Sequence, residues 1–135
     1  MSVERKYIAP KELFSTKGLG FTHVVASAPG TTIYVSGQTA WDADRKIVGG
    51  ADLGRQAEQA LANLRTALAA AGATPRDVVF FRVYVVDYEP ANAGVLSPLF
   101  ESFFAGGPPP GSTWVGVKAL AVPGFRIEIE AVAVV

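Results

Sequence analysis

Residues 125–134, Phe-Arg-Ile-Glu-Ile-Glu-Ala-Val-Ala-Val, carry an alternation that suits a β-strand and little else. Successive side chains of a strand point to opposite faces. Ile127, Ile129, Ala131 and Ala133 therefore share one side, and Glu128, Glu130, Val132 and Val134 the other. A slip of one residue would turn both carboxylates into the core, so the pattern dictates which face is packed. Helices on one side of a sheet account for the first set. The second set puts two carboxylates on the side that no helix of this chain covers, leaving it to water or to another subunit. The aromatic content of the strands favours another subunit.

The helices are legible. Over Asp52–Ala71, the residues Leu53, Ala57, Leu61, Leu64, Leu68 and Ala71 recur at spacings of three and four, while Arg55, Glu58, Gln59 and Arg65 lie off that stripe. Gly72 ends this helix. A second helix of about three turns spans Asn92–Phe104. Val78–Asp87 alternates as a strand, with Val79, Phe81, Val83 and Val85 on one face and Phe80, Arg82, Tyr84 and Val86 on the other. Both faces are largely apolar, so both are expected to be covered. Further strands are expected at Lys6–Ala9, Thr22–Ser27, Thr32–Ser36 and Ser112–Lys118, the second and third forming a hairpin across Ala-Pro-Gly-Thr. The expected order is β-β-β-α-β-α-β-β.

Composition narrows the function classes. A chain of 135 residues is expected to form one domain with an adequate core. Absence of cysteine excludes disulfides, thiolate chemistry and Cys-ligated zinc, and one histidine excludes a His-rich metal site. No metal or cofactor is expected, and Trp41-Asp-Ala-Asp44 has too few acids for a cation site, reading instead as a solvated turn. Twelve basic residues balance twelve acidic ones, which leaves no electrostatic footprint for nucleic acid or an anionic membrane. No stretch is apolar enough to span a bilayer and no secretory signal is evident, so a cytoplasmic protein is expected. With 18% charged and 50% hydrophobic residues, the chain has little polar material to cover its surface, which points to an oligomer. The run Gly106–Gly111 lacks the Lys-Ser/Thr ending of a phosphate loop, and its prolines remove the amide donors, so it is a stiff connector.

Four segments resemble the Rid family of reactive-intermediate (imine/enamine) deaminases, also called YjgF and formerly endoribonuclease L-PSP. They are Ile33-Tyr-Val-Ser-Gly-Gln38, Gln56–Leu64 ending in Ala-Ala-Gly72, Val83-Tyr-Val-Val-Asp87 and Ile127–Ala133, and the resemblance runs over about residues 18–135. It implies a single Rid/YjgF-like domain over 1–135. The implied α+β fold is chorismate-mutase-like, a mixed sheet with two helices on one face, assembled as a homotrimeric barrel with small-molecule clefts between subunits. The implied chemistry is hydrolysis of 2-imino or enamino acids, anchored by an arginine that grips the substrate carboxylate bidentately. Here Pro109-Pro-Gly-Ser-Thr113 carries Gly111 at that arginine position, and Phe21 stands where the family's cleft tyrosine is expected. Ordinary 2-iminoacid deaminase activity is therefore expected to be weak.

The remaining candidates are each weighed against a plainer role. Glu128, at the family's cleft glutamate, is either a general base or a structural partner of Arg82 or Arg126. His23 is either a proton shuttle beside Glu128 or a packing histidine. Ser36, Ser97, Ser112, Thr113 and Trp114 join Phe21 and Gly111 as expected substrate-binding positions, although Trp41 and Trp114 also suit simple packing. Glu130 is expected to pair with Arg82. The leading expectation is a Rid-like trimer that hydrolyses or tautomerises a small imine, enamine or carbonyl compound. The alternative is a non-catalytic trimer that binds a small molecule or a partner. Ribonuclease activity fits poorly with zero net charge and a single histidine.

Overall fold

The structure, a computed structural model, describes residues 3–22 and 24–135. Its elements follow the expected order: β1 (Glu4–Ile8), β2 (Val24–Ala28), β3 (Thr32–Gln38), α1 (Leu53–Ala70), β4 (Val78–Val86), α2 (Asn92–Phe103), β5 (Gly111–Val117) and β6 (Ile127–Val134). Four strands form a mixed sheet in the order β3-β6-β4-β5, with β4 and β5 parallel and the other neighbours antiparallel. The two helices pack on one face, giving the α+β architecture expected.

The terminal strand behaves as its alternation requires. Ile127, Ile129, Ala131 and Ala133 are buried with Phe81, Val83 and Val85 of β4 beneath Leu61, Leu64 and Leu68 of α1 and Leu96 and Phe100 of α2. Phe81 is the hub of this core, its ring centroid 5.2 Å from Phe100 and 4.8 Å from Phe104. On the opposite face no helix of the described residues lies over the sheet. There Arg82 pairs in register with Glu130 and Tyr84 with Glu128, and Tyr34 is 79% exposed.

The helix α1 begins where Asp52 accepts the Arg55 amide at 2.9 Å, and Gly72, at φ 76°, lies just past its end. Gln56 is fully buried, although it carries a polar amide. Its Nε2 donates to Gly50 O (2.6 Å) and Gly124 O (2.9 Å), and its Oε1 accepts from Arg126 N (2.9 Å). One side chain thus ties the loops before α1 and before β6 to the helix.

Four expectations are corrected. The strands β2 and β3 do not form a hairpin: β2 pairs with β1, and β3 pairs with β6. The link is drawn onto the end of β6, because Thr31 and Val135 exchange backbone hydrogen bonds at 2.7 and 3.0 Å and Gly30 sits where a Cβ would lie 2.7 Å from Val135 O. In β4 a bulge between Val78 and Phe80 turns Val78, not Val79, into the core. Ala71 is exposed, as the cap residue beyond the last helical turn. Phe125 precedes β6 and packs edge-to-face on Trp41 at 5.0 Å. On the other face of β4, Arg82 and Tyr84 are half-buried within the single chain.

Candidate functional site

A cavity of about 320 Å³ opens between α2 and β5. It is lined by Leu19, Phe21, Tyr88, Ala93, Ser97, Ser112 and Trp114, so four of the residues singled out from sequence, Phe21, Ser97, Ser112 and Trp114, meet there. Three local devices bring them together. Gly20, at φ 82°, presses against α2 where a Cβ would lie 3.2 Å from Phe100 Cβ, and its amide donates to Glu101 Oε1 at 2.7 Å. Thr22 N donates to Pro110 O at 2.7 Å and its hydroxyl bonds Pro109 O, which straps Phe21 between helix and connector. Arg76 in turn holds that connector, donating to Phe104 O (2.8 Å) and Pro108 O (3.0 Å).

On α2, Ala93 and Ser97 are four residues apart and share one face. On β5, Ser112 and Trp114 point to the helix side, and the Trp114 ring meets Phe100 edge-to-face at 5.4 Å. The hydroxyls of Ser97, Ser112 and Tyr88 make no hydrogen bond among the described residues, and the buried Trp114 Nε1 has no partner either. Tyr88 was not foreseen. Asp87 adopts φ 51° at the end of β4, and Tyr88 then lies across Gly116, where a Cβ would be 3.0 Å from Tyr88 Cβ. A glycine inside β5 beside an aromatic turn residue is the signal that marks it.

The sheet divides the remaining candidates from this cavity. Thr113, Glu128 and Ser36 stand on or beside the open face. Between Val35 and Gln38 the register with β6 shifts, so Ser36 and Gly37 form a bulge. A Cβ on Gly37 would lie 1.9 Å from Glu128 Oε2: the glycine leaves the space that the carboxylate occupies. Ser36 itself is exposed, and its carbonyl accepts from Gln38 Nε2 at 3.0 Å.

The two carboxylates of β6 differ. Glu130 accepts from Arg82 Nη1 at 3.2 Å and from the Tyr84 hydroxyl at 2.5 Å, as the expected pairing requires. Tyr84 first and Glu130 second push the Arg82 guanidinium still further above its usual range. Glu128 makes no ion pair or side-chain hydrogen bond among the described residues. His23 lies outside the described residues, so its pairing with Glu128 is not part of this geometry.

Gly111 is buried at the start of β5, and a Cβ there would lie 3.2 Å from the Phe80 ring. The possible substitutes for an arginine lie away from this cavity. Arg82 is held by Glu130, Arg126 donates to Ala51 O at 3.0 Å, and Lys118 lines a separate cavity with residues 119–125. Trp41 borders another groove with Asn63 and Thr66. The Asp42 carboxylate accepts from Asp44 N and Lys46 N in a local turn, and no group of three or more potential metal ligands exists among the described residues.

A family model described as Endoribonuclease L-PSP matches residues 18–135. The chain belongs to the Rid family. It is 36% identical to the 2-iminobutanoate/2-iminopropanoate deaminase of Rattus norvegicus over 104 residues, covering 76% of this chain and 72% of the rat protein. Its fold is similar to that of the Rid-family protein YyfB of Yersinia pestis, with a TM-score of 0.94 and 43% identity over 97% of this chain and 98% of that one. RidA from an Antarctic Psychrobacter superposes with a TM-score of 0.69 at 28% identity, over 96% and 99% of the two chains. Gly111 itself does not line the cavity beside Trp114; a Cβ there would point toward Phe80, on the same face of β5 as Thr113. Among the described residues no helix is long and apolar enough to cross a membrane.

Proposed function

We propose that this Rid-family chain processes a small imine, enamine or carbonyl compound by hydrolysis or tautomerisation, as a cytoplasmic homotrimer with its ligand site between subunits. The reading rests on one observation. Of the two carboxylates on the open face, Glu130 is paired with Arg82 and Tyr84, whereas Glu128 has no partner among the described residues and lies above a glycine that makes room for it. A half-buried carboxylate with no structural duty is suited to hold water or move a proton.

The sheet separates Glu128 from the cavity beside Trp114 within one chain, so a complete site needs the open face of one copy against the cavity of another. Exposed apolar and aromatic residues on that face, Tyr34 and Val115 among them, favour burial against a second copy. Simple 2-imino acids, which carry a carboxylate, lack a charge-assisted anchor at Gly111 and are poor substrates on this reading.

Turnover of imines generated in situ by an amino-acid oxidase tests it, reading keto-acid and ammonia release. Iminopropanoate is expected to react far more slowly than with arginine-bearing relatives. With an uncharged imine, Glu128→Gln is expected to lower kcat by about a hundredfold or more. Rapid iminopropanoate turnover, or full activity in Glu128→Gln, would overturn the proposal.

A further inference from the structure

We infer that the cavity between α2 and β5 selects an uncharged, flat, largely apolar molecule of single-ring size that carries a hydrogen-bond acceptor, with Ser97 and Ser112 as its donors. The inference rests on the preceding reading only in taking this cavity as part of the substrate site. Its volume of about 320 Å³ matches roughly ten water molecules at about 30 Å³ each, the space of one substituted ring. Phe21, Tyr88 and Trp114 supply aromatic walls, and Leu19 and Ala93 complete an apolar lining.

No lining residue among those described is charged. The charge bonded to the rim is a carboxylate, Glu101, which accepts from Gly20 N behind Phe21 and disfavours an anion. Lys17 stands two residues before Leu19 but is exposed and forms no part of the lining. The polar groups that do line the cavity are the hydroxyls of Ser97, Ser112 and Tyr88, all unengaged among the described residues. Hydroxyls donate to carbonyl oxygens or imine nitrogens without requiring charge. A carboxylate would lose its water and meet no cation among the described residues, which is the costly half of anion binding. A neutral amide, ketone or imine loses less water and recovers its hydrogen bonds here.

Benzamide and benzoate share size and shape but differ in charge, and titration calorimetry on the full chain separates them. Benzamide is expected to bind at least ten times more tightly than benzoate. Ser97→Ala and Ser112→Ala, which remove one hydroxyl each, are each expected to weaken benzamide about fivefold. Unchanged circular dichroism would show that these variants still fold. A second variant, Ser97→Lys, adds a cation and is expected to reverse the preference toward benzoate.

Equal or tighter benzoate binding, benzoate binding that disappears in Lys17→Ala, or no benzamide binding up to millimolar concentrations would each overturn the inference. The outcome is separable from that of the catalytic proposal. A benzamide preference alongside an indifferent Glu128→Gln would sink the chemistry and leave the ligand class standing. A benzoate preference in an enzyme that still hydrolyses imines through Glu128 would do the reverse.

Discussion

Replacing Gln56 by leucine tests whether one buried amide holds the approach to β6. The substitution keeps the volume but removes two donated hydrogen bonds, to Gly50 O and Gly124 O, and one accepted from Arg126 N. A stranded buried group costs about 1–3 kcal/mol. Gly50 and Gly124 are exposed, so water relieves part of the cost at their carbonyls, and the three groups together cost about 3–5 kcal/mol. The added apolar burial of leucine returns about 1 kcal/mol. The net loss is about 2–4 kcal/mol, a large part of the ~5–15 kcal/mol that holds a domain together. Urea unfolding followed by circular dichroism, at fixed protein concentration, should show a lower midpoint with an unchanged slope. The melting temperature should fall by roughly 10 °C. Because Arg126 stands two residues before Glu128, the variant should also lose activity below its unfolding transition. A loss under about 1 kcal/mol, or full activity with the expected destabilisation, would refute the argument.

Gly37→Ala puts a methyl group where the Glu128 carboxylate lies. It should reduce kcat nearly as far as Glu128→Gln while costing under about 1.5 kcal/mol of stability, since only the end of a flexible side chain must move. Kinetics alongside denaturation of the same sample measures both. Gly111→Arg alone should not raise iminopropanoate turnover, because its side chain starts against the Phe80 ring; Gly111→Arg with Phe80→Ala should raise it, which paired rate measurements will show. Phe81→Ala opens the centre of the core and should cost about 3–5 kcal/mol in urea unfolding.

Much of the fold is legible because its signals are local. The alternation of Ile127–Val134 names its buried face, the stripe Leu53–Leu61–Leu64–Leu68 names the surface of α1 that packs on it, and Gly72 marks the end of that helix. These patterns depend on the period of the backbone, which neighbours do not alter. The partner of β2 was not legible, since a short link beside proline and glycine reads as a tight turn whether or not its strands pair. Nor was the exchange of Val79 for Val78, because a bulge adds one residue without changing composition.

The sequence by itself determined which residues have chemistry to offer: two carboxylates on the last strand, and a few hydroxyls and aromatics in a chain without cysteine. Only the tertiary structure decided their company. It gathered Phe21, Ser97, Ser112 and Trp114 around one cavity, committed Glu130 to Arg82 and Tyr84, and set Glu128 above Gly37 on the other side of the sheet, with no partner among the described residues. The reason is physical. Residue type fixes what a side chain can donate, accept or bury, whereas strand order and register fix which distant segments face the same space.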